Sequence, residues 1–574
     1  MNNKRIADTF EQIADLLEFQ GSNPFRIRAY RKGAKTIAEM SESVGGVIQD
    51  TSRKLTDFDG IGKDLAAKVE ELVTSGRLTM LEELLETVPR TVLDLVRVPG
   101  MGPKKAATVF KELHIATLDQ LKAACEDQQL RALKGFGAKT EQTILDGIAI
   151  AAAANERTLW AIADEVAQQL LTHLESCQSI ETIDMAGSYR RCKETIGDLD
   201  ILVVSSDAAE VMDRLGEFED LDSITVRGDT KMSIRLFGGL QVDLRVVPTE
   251  SFGAAMQYFT GSKEHNVVVR GRAKQMGLKV NEWGVYNVET GDYVAGKTEE
   301  DVYGALDLPW IAPELREARD EFAWSESGEL PELIERADIR GDLHMHTTAS
   351  DGKSTLEEMV AAAKQMGLTY IAITDHSKRV SMANGLDDKR VLEQWAEIDE
   401  LNRSLGKSFT ILKGIECDIL ENGEMDLADE TLAQADWVMA SIHYGQKQPM
   451  EKITRRMLNA IENPHVTAIS HPTGRLINQR EPYEIDLDQI YAAAKEHDKL
   501  LELNAAPKRL DLNAINCAAA KRHGIPIVIS TDAHSVHGLA SMRYGINQAR
   551  RAGFTKTDVA NTRTWPQLKK LIGR

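Results

Sequence analysis

The residues with the clearest chemical potential are two carboxylates at the start of an apolar run. Asp198 and Asp200 precede the apolar residues 201–204, which read as a strand. Residues two apart in a strand face the same side, so these carboxylates would point together. Asp243 lies inside a second strand-like run, 242–247, and is able to join them. Three hard oxygen ligands on adjacent strands suit Mg²⁺, which shares its remaining positions with phosphates.

A short glycine turn lies ten residues ahead of this pair. Ser188 follows a glycine there, and with Arg191 it offers hydrogen-bond donors to a triphosphate. Two Mg²⁺ ions beside such a turn would activate a 3′-hydroxyl and stabilise a leaving pyrophosphate. An isolated Asp-x-Asp is usually only an exposed strand end. The turn and the third aspartate favour a metal-dependent nucleotidyl transfer site.

Histidines are concentrated in the second half of the chain, many of them just after apolar runs. Imidazole and carboxylate without thiolate suit Zn²⁺, Mn²⁺ or Fe²⁺ in a site that keeps open positions. Such ions lower the pKa of a bound water and clamp a phosphate ester. One such histidine alone would more simply be packed or solvated. The histidines after residue 340 are 344, 346, 376, 443, 465, 471, 497, 523, 534 and 537.

A glycine signature recurs in the first 150 residues, each time followed by a helix-like pattern. It pairs Gly60 with Gly62, Gly100 with Gly102 and, more weakly, Gly135 with Gly137. Gly-x-Gly between helices exposes backbone N–H groups that bind a phosphate without reading a base. One copy would be only a turn, but the repetition predicts attachment to DNA by at least the first two copies.

Lys68 lies one turn into the helix that follows the first hairpin. A partly neutral lysine amine beside a DNA end would form a Schiff base with an abasic sugar. The simpler alternative is a solvated lysine or a phosphate contact, and both interpretations remain open at this stage.

The elements that must position these residues change along the chain. Residues 1–150 have helical periodicity, and 313–338 are charged with few apolar positions, which predicts a linker. From residue 340 short strand-like runs alternate with helices. That alternation predicts an α/β barrel or sheet with ligands at the strand C-termini. The predicted strands are 370–374, 410–414, 437–441, 468–470, 500–503 and 527–530.

Length and composition limit the alternatives. The chain has 574 residues, and five scattered cysteines argue against disulfides or a thiolate zinc site. No apolar run approaches the ~20 residues that span a membrane, and no apolar core of a secretory signal follows the N-terminus. The net charge of -20 alone argues against nucleic-acid binding. Five basic residues within 26–35 show that local charge differs, although a solvated helix face explains them equally well.

The carboxylate segment resembles the nucleotidyltransferase superfamily. Together with the run 258–262, it looks like family X DNA polymerases, the group that contains DNA polymerase beta. This resemblance implies that Asp198, Asp200 and Asp243 hold Mg²⁺ or Mn²⁺, with Asp243 also the base for the primer hydroxyl. The triphosphate would be bound by Ser188, Arg191 and Gly197, the sugar pocket lined by Tyr258, Phe259 and Gly261, and the nucleotide and template edges contacted by Asn266 and Arg270.

The resemblance covers about residues 1–310 and also marks Lys68 as the family's lyase lysine. It departs at Gln241, where polymerase beta has arginine, and at His265, where an aromatic residue is usual. The first departure concerns proton handling at Asp243. Neither departure concerns the metal ligands.

The second half is similar to the polymerase-and-histidinol-phosphatase (PHP) family over about residues 339–574. The resemblance implies a distorted (β/α)7 barrel with up to three ions of Zn²⁺, Mn²⁺ or Fe²⁺. One ion would take His344, His346, Glu416 and Asp532; a second would share Glu416 with His443 and His471; a third would use Asp351, His376 and His534. The other histidines match no motif position and are expected to be structural or solvated.

The predicted fold is therefore multidomain α/β: a helix-hairpin-helix region, a mixed-sheet nucleotidyltransferase palm with a thumb, and a PHP barrel. The expected activity is short-gap filling in base excision repair, combined with 3′-end processing (3′-5′ exonuclease or phosphoesterase, with AP endonuclease activity as an extension). The expected partners are gapped or nicked DNA and dNTPs, for a cytosolic bacterial monomer without membrane contact. The predicted domains are 1–90, 91–150, 151–248, 249–312, the linker 313–338, and 339–574.

Three rival functions remain at this stage. The barrel would be a small-molecule phosphatase if the N-terminal half were only a DNA-binding module. A non-enzymatic scaffold for DNA ends is disfavoured by the full sets of carboxylates and histidines. A template-free or RNA nucleotidyltransferase is disfavoured by the hairpin repeats.

Overall fold

The computed structural model divides the chain into two compact units, Met1–Glu156 and Arg157–Arg574. Among the described residues, no helix is both long and apolar enough to cross a bilayer. Asp59 and Pro99, which belong to the glycine signatures, lie outside the described part. The residues described are 3–39, 44–49, 53–58, 60–89, 91–98, 100–406 and 408–573.

The first unit is helical and is built on amphipathic spacing. In the first helix Phe10, Ile13 and Leu17 recur at helical intervals and are almost completely buried. Core residues from both halves of this unit form a single cluster, from Ile6 to Ile148. Its described helices are α1 (Asn3–Phe19), α2 (Pro24–Glu39), α3 (Val44–Gln49), α4 (Lys63–Ser75), α5 (Thr79–Thr87), α6 (Val92–Arg97), α7 (Pro103–Leu113), α8 (Leu118–Glu126) and α9 (Ala138–Glu156).

The second unit begins with a five-stranded mixed sheet in the order β2-β4-β7-β6-β5. The β4 and β7 strands are parallel neighbours, whereas the other pairs are antiparallel. The two strands predicted from sequence are β4 and β7, and the sequence did not predict β2, β5 or β6. The elements are β1 (Thr158–Leu159), α10 (Trp160–Glu175), β2 (Ile180–Met185), α11 (Gly187–Arg190), β3 (Thr195–Ile196), β4 (Asp198–Ser205), α12 (Ala208–Gly216), β5 (Leu221–Arg227), β6 (Lys231–Leu236) and β7 (Gln241–Val246).

A smaller lobe follows, which contains three helices and a three-stranded antiparallel sheet. Gly253 lies against the backbone of Thr298, where an added Cβ would come within 2.1 Å of a carbonyl carbon, so the lobe closes tightly at this point. Its elements are α13 (Phe252–Thr260), α14 (Lys263–Gln275), β8 (Leu278–Asn281), β9 (Gly284–Asn287), β10 (Tyr293–Ala295) and α15 (Glu299–Gly304).

The segment 313–338, predicted to be a linker, is packed against the lobe. Arg316 is completely buried and donates to both carboxylate oxygens of Glu299. Glu321, at the start of α16 (Glu321–Ser327), is also buried and lies 2.9 Å from the ring Nδ1 of His265. The segment differs from the expectation because its charged residues pair with residues of the lobe, and pairing makes their burial tolerable.

The remaining chain forms a seven-stranded parallel sheet with strands in sequential order, which confirms the predicted barrel class. The last strand returns to the first, since Met345 bridges Ala533 and the backbone N–H of His346 donates to Ala533 O at 2.8 Å. The strands are β11 (Gly341–Asp342), β12 (Tyr370–Ile373), β13 (Thr410–Asp418), β14 (Trp437–Ser441), β15 (Ala468–Ile469), β16 (Leu500–Asn504) and β17 (Ile527–Ser530).

Helices surround this barrel, and apolar residues from strands and helices form its main core. The amphipathic helix α20 buries Ile453, Met457 and Ile461. The helices are α17 (Leu356–Gln365), α18 (Asp388–Leu405), α19 (Asp429–Leu432), α20 (Met450–Glu462), α21 (Leu487–Glu496), α22 (Ala514–Arg522), α23 (Met542–Arg551) and α24 (Trp565–Leu571).

Candidate active sites

The three predicted carboxylates converge on the palm sheet. Asp198 and Asp200 project from β4, and Asp243 lies on β7 directly opposite Asp200. Ligand atoms of the three side chains all lie within 4.8 Å of one another. Parallel pairing without a register shift places all three carboxylates on one face of the sheet.

The electrostatics of this cluster suit a cation. Burial, followed by repulsion from Asp198 and Asp243, raises the pKa of Asp200 to about 7. Burial and the Asp243 charge also raise the pKa of Asp198. Carboxylates that repel one another in a partly buried cleft need a positive charge between them, and a divalent ion with oxygen preference supplies it. The donor set therefore fits Mg²⁺ or Mn²⁺.

Asp243 has two neighbours that the sequence did not identify as site residues. Ser233 on β6 faces it across the ladder and donates its hydroxyl to Asp243 Oδ1. Gln241 donates its amide to Asp243 Oδ2 at 3.0 Å. At the position where the resemblance expects arginine, glutamine therefore provides a hydrogen bond without a positive charge.

The glycine turn ahead of β4 fits closely against the carboxylates. Gly187 has a φ of +64°, and an added Cβ would lie 2.2 Å from Asp200 Oδ2. Only glycine allows this approach. The turn continues into Ser188 on the short α11, and Gly197 lies immediately before β4. Gly197 thus directly precedes the carboxylate strand, and Ser188 directly follows the glycine that lies against Asp200.

The guanidinium of Arg191 is buried between palm and lobe. It donates from Nε to Glu317 Oε1 at 3.1 Å and from a terminal nitrogen to Thr260 O. Its neighbour Arg190 makes a bidentate ion pair with Glu299. Glu317 and the Thr260 carbonyl therefore hold the Arg191 guanidinium, and its role as a triphosphate ligand stays a prediction.

The predicted nucleotide-pocket residues lie on α13, α14 and the junction between them. Tyr258 and Phe259 form an edge-to-face pair with ring centroids 5.1 Å apart. Asn266 donates to Tyr258 O at 2.7 Å and its own carbonyl oxygen accepts from Arg270 Nε at 3.2 Å. Gly261 ends α13 with a φ of +70° and lies near a terminal nitrogen of Arg191.

His265 is a buried structural residue. It stacks on Phe322 with centroids 4.7 Å apart and lies 2.9 Å from both Glu321 and Tyr303. Burial lowers its pKa. The imidazole thus keeps the aromatic packing expected at this position and adds two polar contacts to α15 and α16.

The PHP-like half brings its predicted ligands to one end of the barrel. The C-terminal ends of parallel strands share one rim, and six of the seven strands contribute a predicted ligand at or just beyond that end. In strand order they are His344 and His346 after β11, His376 after β12, Glu416 within β13, His443 after β14, His471 after β15, and Asp532 and His534 after β17.

The first ligand set has suitable spacing for one ion. His344 Nε2 lies 3.5 Å from both Glu416 Oε2 and Asp532 Oδ1. His346 Nε2 lies 3.7 Å and 3.1 Å from the same two oxygens. Ligand atoms held tetrahedrally at 2.0–2.2 Å from one ion are separated by about 3.4 Å.

Glu416 connects this set to the second. Its Oε1 lies 2.9 Å from His471 Nε2 and 3.5 Å from His443 Nε2. Burial, followed by the charge of Arg509, lowers the pKa of His471 to about 3, which keeps this imidazole in the neutral form that binds metals.

The third set is more shared than the resemblance implies. Asp351 Oδ2 lies 3.5 Å from His534 Nε2 and 3.7 Å from His376 Nε2. The other ring nitrogen of His376 lies 2.8 Å from Glu416 Oε2, and His346 joins the same cluster through Nδ1. His346 and His376 therefore each face two candidate ion positions.

Buried polar atoms in this cluster need a ligand. Among the described residues, His344 Nε2, His346 Nδ1 and Glu416 Oε2 are buried without a hydrogen-bond partner. Such atoms are costly unless water or an ion satisfies them. The donor set of imidazoles and carboxylates fits Zn²⁺, Mn²⁺ or Fe²⁺.

Glu502, which the sequence did not identify, completes the rim from β16. It is fully buried, lies 2.8 Å from His344 Nδ1 and accepts the backbone N–H of His471 at 2.7 Å. Asp418 plays the same part for His443, at 3.1 Å from Nδ1. Carboxylates on the second ring nitrogen orient metal-binding histidines. An acidic residue inside the apolar run 500–503 was the available signal.

A cleft of about 420 Å³ opens over these ligands. One wall includes Val380, Ala383 and the fully exposed Met382, and Tyr444 and Arg509 complete the lining. The Arg379 guanidinium lies 4.8 Å from the centre of the Tyr444 ring. His465 is half-buried, and the other unassigned histidines, 497, 523 and 537, are exposed.

The glycine hairpins have one backbone geometry in all three copies. Gly60, Gly100 and Gly135 have φ values of +90°, +86° and +89°. Gly62 and Gly102 are the residues immediately before α4 and α7, so their N–H groups lie at helix N-termini. The third copy, which is weak in sequence, is as regular as the first two.

Lys68 lies on α4 and forms an ion pair with Asp64, one turn earlier. Both interpretations of Lys68, the lyase nucleophile and the phosphate contact, stay predictions.

Successive segments of the chain match known protein families. Family models match 1–78 (helix-hairpin-helix domain), 92–149 (SAM-like helix-hairpin-helix tandem), 255–317 (DNA polymerase beta thumb) and 342–506 (PHP domain). The chain is 39% identical over 578 residues to the DNA polymerase/3′-5′ exonuclease PolX of Bacillus subtilis (strain 168), covering 100% of both chains. The chain belongs to the PolX family. The predicted family and fold class are thereby confirmed.

Part of the chain is also similar to proteins named as probable phosphatases. A probable phosphatase of Thermoanaerobacter sp. (strain X514) is 32% identical over 38% of this chain and 89% of its own length. A probable phosphatase of Acetivibrio thermocellus is 33% identical over 34% of this chain. Membership of the PolX family rests on the full-length match, because the matches to probable phosphatases cover less than half of this chain.

Proposed function

We propose that this chain is a DNA-directed DNA polymerase that fills short gaps during repair and also carries a 3′-5′ exonuclease in its PHP barrel. The observation that carries the proposal is the presence of two separate ligand clusters in one chain, one of carboxylates alone and one rich in histidine. The full-length similarity to a PolX protein supports the pairing of these two activities.

At the polymerase site, Asp198, Asp200 and Asp243 would hold Mg²⁺ or Mn²⁺. Bound there, the ions would supply the positive charge that activates the primer hydroxyl and stabilises the leaving pyrophosphate. Asp243 would accept the proton of the hydroxyl, with Ser233 and Gln241 fixing its orientation. The nucleotide would be held as the resemblance implies, by the turn at Ser188 and the pocket residues of α13 and α14.

At the barrel site, the nine predicted ligands would hold up to three ions of Zn²⁺, Mn²⁺ or Fe²⁺. Such ions supply an activated water and a clamp for a phosphate ester. The substrate would be the 3′ end of a DNA strand, as terminal nucleotides or 3′-phosphates, with abasic sites as a further substrate. Glu502 and Asp418 would orient the imidazoles of His344 and His443.

The small-molecule phosphatase alternative rests on the shorter matches to probable phosphatases. The cleft argues for a nucleotide instead, since its wall of Val380, Met382 and Ala383 with the Tyr444 ring suits a nucleobase. Helix-hairpin-helix N–H groups at Gly60, Gly62, Gly100 and Gly102 would hold gapped or nicked DNA. We also propose that the protein acts as a monomer in the bacterial cytosol, with dNTPs as substrates.

The test uses 5′-labelled gapped DNA with Mn²⁺, with and without dNTPs. Asp198→Ala should abolish extension and leave 3′ resection intact, whereas His344→Ala should do the reverse. Asp229→Ala and His497→Ala, which change exposed residues outside both clusters, serve as matched controls. Extension that survives in Asp198→Ala, or resection that survives in His344→Ala, would contradict the corresponding half of the proposal.

A further inference from the structure

Helix α23 (Met542–Arg551) connects the PHP barrel with the palm. It follows the 3-10 helix Val536–Ser541, which itself begins two residues after the predicted ligand His534. Its inner face packs into the barrel, where an added Cβ on Gly545 would lie 2.5 Å from Ile529. Some of its other contacts reach residues 187–192, the turn that carries Ser188 and Arg191.

The C-terminal end of α23 holds the end of that turn. Arg551 donates to the backbone oxygen of Arg191 and, at 3.0 Å, to Glu317 Oε1. Gln548 donates to the backbone oxygen of Cys192 at 2.9 Å. Both side chains are at least nine-tenths buried. These are desolvated contacts, so they fix geometry more strongly than exposed pairs do.

The N-terminal end of α23 holds the middle of the same turn. Arg543 pairs with Asp164 Oδ2 at 2.7 Å, and Tyr189 donates its hydroxyl to Asp164 Oδ1 at 2.5 Å. The ring of Tyr544 packs edge-on against Trp160, which stacks on Tyr189 with centroids 5.1 Å apart. Tyr189 lies between Ser188 and Arg190, so one helix holds the turn at two points.

Glu317 connects Arg551 with Arg191, the predicted triphosphate ligand. The same carboxylate oxygen accepts from Arg191 Nε at 3.1 Å and from Arg551 at 3.0 Å. Arg551 and Arg191 thereby share the negative charge of one carboxylate oxygen. Without Arg551, Glu317 would hold the Arg191 guanidinium more strongly, and a triphosphate would have to compete with it.

We propose that α23 of the PHP barrel is part of the polymerase's nucleotide site, with Arg551 as a positioning residue for Arg191. The inference rests on the proposed polymerase function and goes beyond it, because it makes nucleotide affinity depend on the exonuclease half. The barrel then contributes to the polymerase reaction through fixed contacts, independently of its own metal ligands.

A general interface role for α23 is the competing explanation, and the helix offers a matched control. Arg550, the adjacent residue, also makes a partly buried ion pair across this interface, to Glu314 at 2.8 Å. Among the described residues it donates to Glu314 and to the backbone oxygen of Ile334, and it makes no hydrogen bond or ion pair with the turn or with Glu317. Loss of Arg550 should weaken the interface without disturbing Arg191.

The experiment measures single-nucleotide incorporation on gapped DNA for full-length wild type, Arg551→Ala, Arg551→Lys and Arg550→Ala. Hydrogen bonds to charged groups have the magnitude to change affinity about 10-fold. We expect Arg551→Ala to raise KM for the dNTP by about that factor, Arg551→Lys to raise it less, and Arg550→Ala to leave it within about twofold. Resection of a single-stranded oligonucleotide should be unchanged in all four proteins.

Equal KM values for Arg551→Ala and Arg550→Ala would overturn the inference. If Arg551→Ala also loses resection, Arg551→Lys decides: a raised KM with intact resection supports the positioning role, and an unchanged KM overturns it. If wild type itself does not extend the primer, the proposed polymerase function fails, which is a distinguishable result.

Discussion

The buried ion pair at Glu299 should make the stability of the second unit depend on pH in the acid range. Burial would raise the pKa of this carboxyl, but Arg316 and Arg190 together lower it from its ordinary 4.5 to about 2. Glu299 is 6% exposed, and Arg316 is fully buried. Solvent screening is therefore weak for this pair.

The sign and the magnitude follow from this lowered pKa. A carboxyl with a lower pKa in the folded state stabilises that state above the unfolded pKa and loses this effect as pH falls toward the folded pKa. Each tenfold change in ionisation constant corresponds to about 1.4 kcal/mol, so the lowered pKa of Glu299 adds about 3 kcal/mol to the free energy of unfolding at pH 7. At pH 3.5 this contribution to the free energy of unfolding falls to about 2 kcal/mol.

The assay is urea unfolding of wild type and Glu299→Gln at pH 7 and pH 3.5, followed by tryptophan fluorescence. We expect the variant to be less stable by about 3 kcal/mol at pH 7, with a smaller difference at pH 3.5. The matched control is Glu326→Gln, which removes an exposed partner of Arg272 and should change stability by less than about 1 kcal/mol. A difference for Glu299→Gln that is constant with pH would refute the reasoning.

Four further predictions concern the two sites. Glu502→Gln should weaken metal binding at the barrel by about 10- to 100-fold, measured by metal titration of resection, because His344 loses its orienting carboxylate; unchanged affinity would contradict this role. Gly187→Ala should abolish extension and spare resection, because its Cβ would clash with Asp200; normal extension would show that the turn is able to relax. Tyr444→Ala should slow resection of a base-bearing 3′ end by about 10-fold and leave an abasic 3′ end unaffected, which rate measurements on the two substrates would check. EDTA should abolish both activities, with Mg²⁺ restoring extension alone; resection restored by Mg²⁺ would contradict the assignment of ions.

Much of both sites follows from local sequence patterns. Asp198 and Asp200 are two apart on one strand, and His344 and His346 follow the same alternation, so their shared face is predictable from strand geometry. The barrel strands are short apolar runs, and a predicted ligand lies at or just beyond the end of all of them except β16, so six of the seven strand ends are recognisable from sequence. Glu502 was missed because it lies inside its run and not after it.

Contacts between distant segments could not be predicted from such patterns. The segment 313–338 has the composition of a linker. Arg316 is nevertheless buried, because it forms an ion pair with Glu299 of the neighbouring lobe. The hydrogen bond from Ser233 to Asp243 depends on the position of β6, and the sequence of β6 has no recognisable site motif. The single core of residues 6–148 likewise joins segments that the sequence suggests are two domains.

The ligand types themselves separate the two activities within one chain. The palm cluster offers only oxygen, which suits Mg²⁺, a hard ion that keeps water and phosphate as its other ligands. The barrel cluster mixes imidazole with carboxylate, and nitrogen ligands favour Zn²⁺, Mn²⁺ or Fe²⁺ over Mg²⁺. Polymerisation and resection act in opposite directions on a 3′ end, so a shared ion would couple their rates. If the palm takes Mg²⁺ and the barrel takes a transition metal, as we propose, the supply of transition metal would affect the removal of nucleotides more than their addition.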